Sequence, residues 1–255
     1  MYRIISVESD NTLKVIKNGS IGTKAFDEAN ARYSTTSTDY CTSTDGCNVW
    51  GSKTTMLDTN GKNVTQMRGK DDGTLYNLPE KEATLNTYLN NDWYNSLRSN
   101  VKKLIVSHMF NVGVTNENET NLSNTISQEK AYKWKGKVGL MNLSDYVKAS
   151  TNSACDSVNS YSSISSGCNN SANHNWIYGG PAARDYSWTI VPEISVSKSS
   201  SVFLVSFFDG GVAMDYACGS SDAVSTTSGV APVFYLSSNI SLGRDGTSDN
   251  PYTVE

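Results

Sequence analysis

Val202-Phe-Leu-Val-Ser-Phe-Phe208 runs into Asp209-Gly-Gly211, and after a stretch of small residues the chain closes on Gly229-Val-Ala-Pro-Val-Phe-Tyr-Leu236. An apolar run, a glycine turn, a polar stretch of weak periodicity and a second apolar run read as strand, turn, loop and closing strand. A chain that ends on a buried strand carrying a long loop presents that loop for recognition. The stretch supplies no obvious catalytic side chain. The sequence thus points to a displayed binding or structural module more than to an enzyme.

Outward from this ending, the bulk composition narrows the class. The chain has 255 residues, enough to bury a full core, and shows no internal repeat or linker. A single α+β domain over 1–255 is the expectation. Hydrophobic residues make up only 37%, with Ser, Thr and Asn filling the gap, so many capped turns and loops are expected. Aromatics at 10% argue against a disordered chain. The net charge of −4 is thinly spread and Lys102 and Lys103 form an isolated basic pair, which speaks against nucleic acid. No apolar run reaches the ~20 residues of a membrane span. The opening residues do not read as a signal peptide. Tyr2-Arg-Ile-Ile-Ser-Val begins flush with a strand, as the trimmed start of a longer chain would.

Cysteine spacing supplies the compartment. Cys41 and Cys47 bracket one short polar loop, and Cys155 and Cys168 bracket a second, richer in Ser and Asn. Neither pair has Cys-x-x-Cys spacing, and His108 and His174 are not placed to complete a zinc cluster. Two local disulfides are the simplest reading, and they imply an extracellular or cell-surface setting. Cys218 is left over, as a small buried residue or a free thiol.

Along the chain, residues 2–20 alternate apolar and polar around Asp10-Asn11, a β-hairpin. Residues 21–78 read as loop with short elements, anchored by Trp50 and Met56-Leu57. A helix is expected after Pro79, with Glu80 and Glu82 in its first turn and Leu85, Tyr88, Leu89 and Trp93 on one apolar face. Ser99 or Asn100 caps a second helix carrying Val101, Leu104 and Ile105. Residues 115–130 read as loop, residues 137–142 as a strand, and Ser144 or Asp145 as the cap of a short helix holding Tyr146 and Val147. Short strands follow at 176–178, 186–192, 202–208, 212–216 and 230–236, and 243–252 reads as a capping turn. Trp93, Trp134 and Trp188 sit in apolar patterns as core residues.

Four of these segments resemble, in order, a bacterial domain of unknown function of the DUF6273 type found in exported proteins of Firmicutes. They are Leu85-Asn-Thr-Tyr-Leu-Asn-Asn-Asp-Trp-Tyr-Asn-Ser96, Val138-Gly-Leu-Met-Asn-Leu-Ser-Asp-Tyr146, Ser187-Trp-Thr-Ile-Val-Pro192 and Gly229 to Leu236. The resemblance covers most of residues 2–252. It implies an extracellular part of a pilin-like or surface-anchored protein. The last two segments also resemble C-type-lectin-like folds, among them formylglycine-generating enzymes and the variable ligand-binding proteins of retroelements, in which a late loop-rich segment is the display surface. Ala231 stands where the family has Arg, so no contact of that Arg carries over.

Asp209, Asp245, Asp249 and Asn250 lack any EF-hand spacing and read as turn caps, so neither a metal nor a cofactor is expected. Cys218, with His174 and Asp185, forms a nucleophilic set only if the fold gathers them, and its neighbours give no cue for a depressed thiol pKa. No Gly-x-Ser-x-Gly, His-Glu-x-x-His or phosphate loop is present. The candidate ligand-binding residues are therefore Tyr161, Trp176, Tyr178, Tyr186, Asp209 and Tyr216, in or beside polar loops, since aromatic rings stack on sugars and anchor interfaces. The expected function is a non-enzymatic, surface-displayed module for a glycan or protein ligand. The alternatives are the globular head of a pilin-like filament, with self-assembly, and a Cys-dependent oxidase of the formylglycine-generating type.

Overall fold

The computed structural model of the chain describes residues 2–116, 119, 121–149, 177, 187–194, 201–205, 225–244, 250 and 252–254. The architecture is α+β, with short, mostly antiparallel strands and few helices. The opening alternation folds as the expected hairpin. Strand β1 (Tyr2–Val7) pairs antiparallel with β2 (Leu13–Lys17), and Asn11 takes a positive φ of 65° in the connecting turn. Short strands β3 (Thr23–Ala25), β4 (Met56–Leu57), β5 (Gln66–Arg68) and β6 (Leu75–Asn77) punctuate the loop-rich region, with Trp50 and Met56 fully buried.

The main helical run begins four residues later than Glu80. Helix α1 (Thr84–Tyr88) passes through a π-helical turn (Leu89–Trp93) into α2 (Tyr94–Ser96). Glu80 and Glu82 lie ahead of it: Glu80 pairs with Lys53, and Glu82 accepts from the Trp134 indole at 2.8 Å. Leu85, Leu89 and Trp93 are buried as expected, whereas Tyr88 is half-exposed. Asn90 accounts for the widened turn, because its amide donates to the Asn86 carbonyl and competes with the helical ladder. Arg98, rather than Ser99 or Asn100, occupies the N-cap position of helix α3 (Ser99–Leu104) and its side chain makes no capping bond, while Ile105 passes into β7 (Ile105–Val106).

Strands β8 (His108–Asn111) and β9 (Thr115–Asn116) precede a helix where a loop was expected. Helix α4 (Leu122–Lys130) starts at Asn121, whose side chain accepts from the Ser123 and Asn124 amides. Its buried side chains are Thr125 and Glu129, so no apolar stripe announces it. Its backbone packs directly on Gly113, where a Cβ would lie 2.0 Å from the Gln128 carbonyl oxygen. Strands β10 (Lys133–Gly136) and β11 (Val138–Gly139) lead to α5 (Leu143–Lys148). Asn142, not Ser144 or Asp145, is its N-cap residue, and Asp145 reaches back to accept the Asn142 amide at 2.8 Å.

Strand β12 (Ser187–Ile194) is buried along its whole length and pairs with β13 (Val202–Val205). The closing segment is two strands, not one: β14 (Thr227–Gly229) belongs to the sheet of β12, and β15 (Val233–Leu236) to the sheet of the hairpin. Pro232 has no amide to donate, and the Val230 amide goes instead to Gly22 and Ser20, which turns the chain between sheets. A terminal ribbon pairs β16 (Leu242–Gly243) with β17 (Thr253–Val254), and most of the expected capping turn between them, residues 245–249 and 251, lies outside the described residues. The expected strands at 176–178 and 212–216 fall outside the described residues, apart from Ile177, which packs against the core.

Among the described residues the strands form two two-stranded ribbons, β5-β6 and β16-β17, and three larger sheets, in the orders β1-β2-β15-β11 with β7 also on β15, β4-β10-β8, and β13-β12-β14-β3 with β9 also on β12. A chain of aromatic contacts joins them. Trp188 meets Phe26 at 5.9 Å, Phe26 meets Trp50 at 5.5 Å, Trp50 meets Trp134 at 6.0 Å, and Phe110 bridges Trp134 to Tyr235. Each such pair adds roughly 0.5–1.5 kcal/mol beyond its burial.

The loop between β3 and α1 is held by charge. The Asp27 carboxylate accepts from Arg32 Nε at 2.9 Å, from the Cys47 amide at 2.9 Å and from the Thr84 amide at 3.1 Å. Arg32 in turn donates to the Cys47 carbonyl at 2.6 Å, and both side chains are buried. The Cys41–Cys47 disulfide, one of the two expected, closes the same loop and contributes about 2 kcal/mol by chain entropy. Replacing Asp27 by Ala leaves a buried guanidinium uncompensated, and urea denaturation should show a loss of about 3–5 kcal/mol. The exposed Lys53–Glu80 pair serves as control: Lys53→Ala should lose less than about 1 kcal/mol, and equal losses would refute the hub.

Candidate functional site

Two sites merit comparison, one interior and one at a sheet end. The interior one gathers Lys14, Glu129, Asn142, Ser144 and Asp145, from β2, α4 and the start of α5. Alternation along β2 predicts an exposed Lys14, yet it is buried, with Nζ 2.6 Å from Asp145 Oδ2. Desolvation pulls the Lys14 pKa down, but the charge and hydrogen bond of Asp145 together with Tyr235 and Glu129 outweigh it and the net shift is upward. Glu129 accepts the Ser144 amide at 3.0 Å and the Ser144 hydroxyl on its other oxygen. Burial pushes its carboxyl up to about 7, against the two Ser144 donors that favour the charged form. Every one of these groups has a partner, and the constellation docks α5 onto α4 and β2.

The second site is the end of the sheet built on β12. Ser187, the first residue of β12, pairs with Val205, the last of β13, and with Gly229, the last of β14. Segment 150–186 therefore enters the scaffold where segment 206–224 leaves it, and the latter returns two residues before Gly229, at Thr227. At the opposite end, the Asn48 amide beside the disulfide donates to the carbonyls of Glu193 and Ser201, fixing β12 and β13 to the stapled loop. Trp188 Nε1 donates to the Lys24 carbonyl at 2.8 Å and β3 pairs with β14, so β3 stands at the same end as Ser187 and Gly229.

An open cleft of about 1120 Å³ adjoins this end, between β3 and α1, with Thr23, Lys24, Glu28, Tyr88, Asp92 and Thr227 in its lining. Lys24 Nζ sits 3.9 Å from the centroid of the Tyr88 ring. A second cleft of about 570 Å³ lies beside the disulfide, lined by Tyr33, Cys41, Asn77 and Pro79 among others. Ala31, Arg32 and Lys81 line both.

The sequence-derived ligand residues Tyr161, Trp176, Tyr178, Tyr186, Asp209 and Tyr216 lie outside the described residues, as do Cys155, Cys168, His174, Asp185 and Cys218. What is described is their anchorage: Ser187 follows Tyr186 directly, and Ile177 between Trp176 and Tyr178 is half-buried against the core. Among the described residues no group of three or more His, Cys, Asp or Glu side chains is placed to hold a metal ion. Sequence reading missed Lys24, Tyr33 and Tyr88. Tyr88 was assigned to the buried face by its spacing, and only the placement of β3 reveals that it borders a cleft.

The chain matches no protein-family model, no curated protein and no solved structure.

Glu129 gives the interior site a pH signature. Between about pH 4.5 and pH 7 the folded chain holds a proton on Glu129 that the unfolded chain has released. Stability attributable to this group should fall by about 2–3 kcal/mol as pH rises through that window, and level off above it. Urea midpoints of Glu129→Gln, compared with wild type across the same pH range, should lack this decline. Parallel profiles would contradict the assignment.

Proposed function

We propose that this chain is the ligand-binding module of an exported bacterial protein, a non-enzymatic C-type-lectin-like scaffold that displays residues 155–180 and 209–228 to a glycan or protein at the cell surface. The convergence of Ser187, Val205 and Thr227–Gly229 at one sheet end carries this reading, because it brings the residue that ends one long polar segment beside both flanks of the other. A rigid scaffold with variable loops at one end is a general solution to recognition. The pairing of β2 with β15, near the two ends of the chain, favours a closed scaffold of this kind. The Cys41–Cys47 disulfide favours an oxidising, extracytoplasmic compartment. Among the described residues no helix is long and apolar enough to cross a membrane, in keeping with a displayed domain.

Tyr178→Ala and Tyr216→Ala test the reading. Each should weaken binding to immobilised cell-surface glycans or proteins by roughly thirtyfold, the loss of about 2 kcal/mol typical of an aromatic anchor, without lowering the melting temperature. Unchanged affinity in both variants would count against display by these segments.

A further inference from the structure

The cleft at the Ser187 end of the sheet and the cleft beside the disulfide share Ala31, Arg32 and Lys81, so the two adjoin across a ridge made by these residues. We propose that they form a single trough that binds an extended, neutral, hydroxyl-rich polymer, a stretch of uncharged polysaccharide running from Tyr88 across the ridge to Tyr33. The proposal rests on the reading of the chain as a binding module but places the ligand on the scaffold rather than on the loops.

Three features select this ligand class. The first is the free hydroxyls. Thr23, Thr87 and Thr227 are exposed in the larger cleft and Thr65 lines the smaller one, and none of these hydroxyls bonds another described side chain. A sugar's hydroxyls would find donors and acceptors in both clefts. The second is the pair of aromatic rings. Tyr33 is 43% exposed at the smaller cleft, an open platform for the CH face of a pyranose. Tyr88 borders the other cleft with Lys24 over its ring, so that end offers an ammonium donor beside an apolar face.

The third is charge balance. Around the trough Lys24, Arg32, Lys53 and Lys81 meet Glu28, Asp39, Glu80, Glu82 and Asp92, with Lys53 bound to Glu80 and Arg32 to Asp27, so acidic groups slightly outnumber basic ones. A polyanion therefore gains no net attraction there. The base of the trough is also preformed. Arg32 donates to the carbonyls of Cys47 and Lys81, tying the ridge to the stapled loop and to the entry of α1. A site that is already ordered loses less on binding a flexible polymer.

Calorimetric titration with cellohexaose, chitohexaose, maltohexaose and laminarihexaose, and with hexagalacturonate as the charged control, tests the proposal. At least one neutral hexaose should bind in preference to hexagalacturonate, and Tyr33→Ala and Thr87→Arg should each weaken it by about tenfold or more. Both positions are exposed, so melting curves should match wild type and a binding loss cannot be laid to unfolding. Failure of the folded protein to bind any neutral hexaose, or preference for hexagalacturonate, would overturn the proposal. So would either variant binding at wild-type strength. If binding survives both trough variants but is lost in Tyr178→Ala or Tyr216→Ala, the trough is refuted while the reading of the chain as a binding module stands.

Discussion

The Asp27 carboxylate receives three donors from three parts of the chain: Arg32 Nε, the Cys47 amide and the Thr84 amide. No long strand runs between β3 and α1, so this region has little ladder hydrogen bonding to define its path. A buried ion pair is a weak source of net stability, because desolvating both charges offsets much of their attraction. Its effect here is geometric. Arg32 can satisfy its guanidinium only when Cys47, Gly51 and Lys81 present their carbonyls together, which fixes one arrangement of the loop. The disulfide, the Trp50–Phe26–Trp188 contacts and the entry of α1 all depend on that arrangement.

From this hub the rest of the scaffold follows. Phe26, adjacent to Asp27, packs between Trp50 and Trp188 and so joins the hub to the sheet of β12. Lys24, two residues further back, accepts the Trp188 indole at its carbonyl and lays its ammonium over Tyr88. Both the Ser187 end of this sheet and the larger cleft are thus positioned by residues within a few places of Asp27. Recognition surfaces need such rigidity, since a scaffold that flexes loses binding energy to ordering.

How much of this was legible in the sequence depends on what buried each side chain. The opening hairpin, Trp50, Met56, Trp134 and the strand around Trp188 were legible because apolar burial leaves a periodic mark. Helix α4 was not, because its buried face is Thr125 and Glu129 and its partner is the backbone at Gly113. The burial of Lys14 was not legible either, because its counter-charge, Asp145, lies far along the chain. The break in 229–236 turned on Pro232 and the amide of Val230, details of hydrogen bonding that an apolar run conceals. The trough was illegible for a different reason. Thr23, Tyr33, Lys81, Tyr88 and Thr227 share no motif, and only the placement of β3 beside α1 and β14 gathers them. The loop tyrosines were chosen by composition, and their role is a matter for binding experiments.

Native-state hydrogen exchange at the Cys47 and Thr84 amides tests the central claim most directly. Both donate to Asp27, and neither belongs to a strand that would protect it otherwise. If the hub holds the scaffold, these two amides exchange only through global unfolding, with the same opening free energy as the amides of β12. Exchange at the rate of an exposed loop would show that the region opens independently of the core, and the account of a scaffold organised around Asp27 would fail.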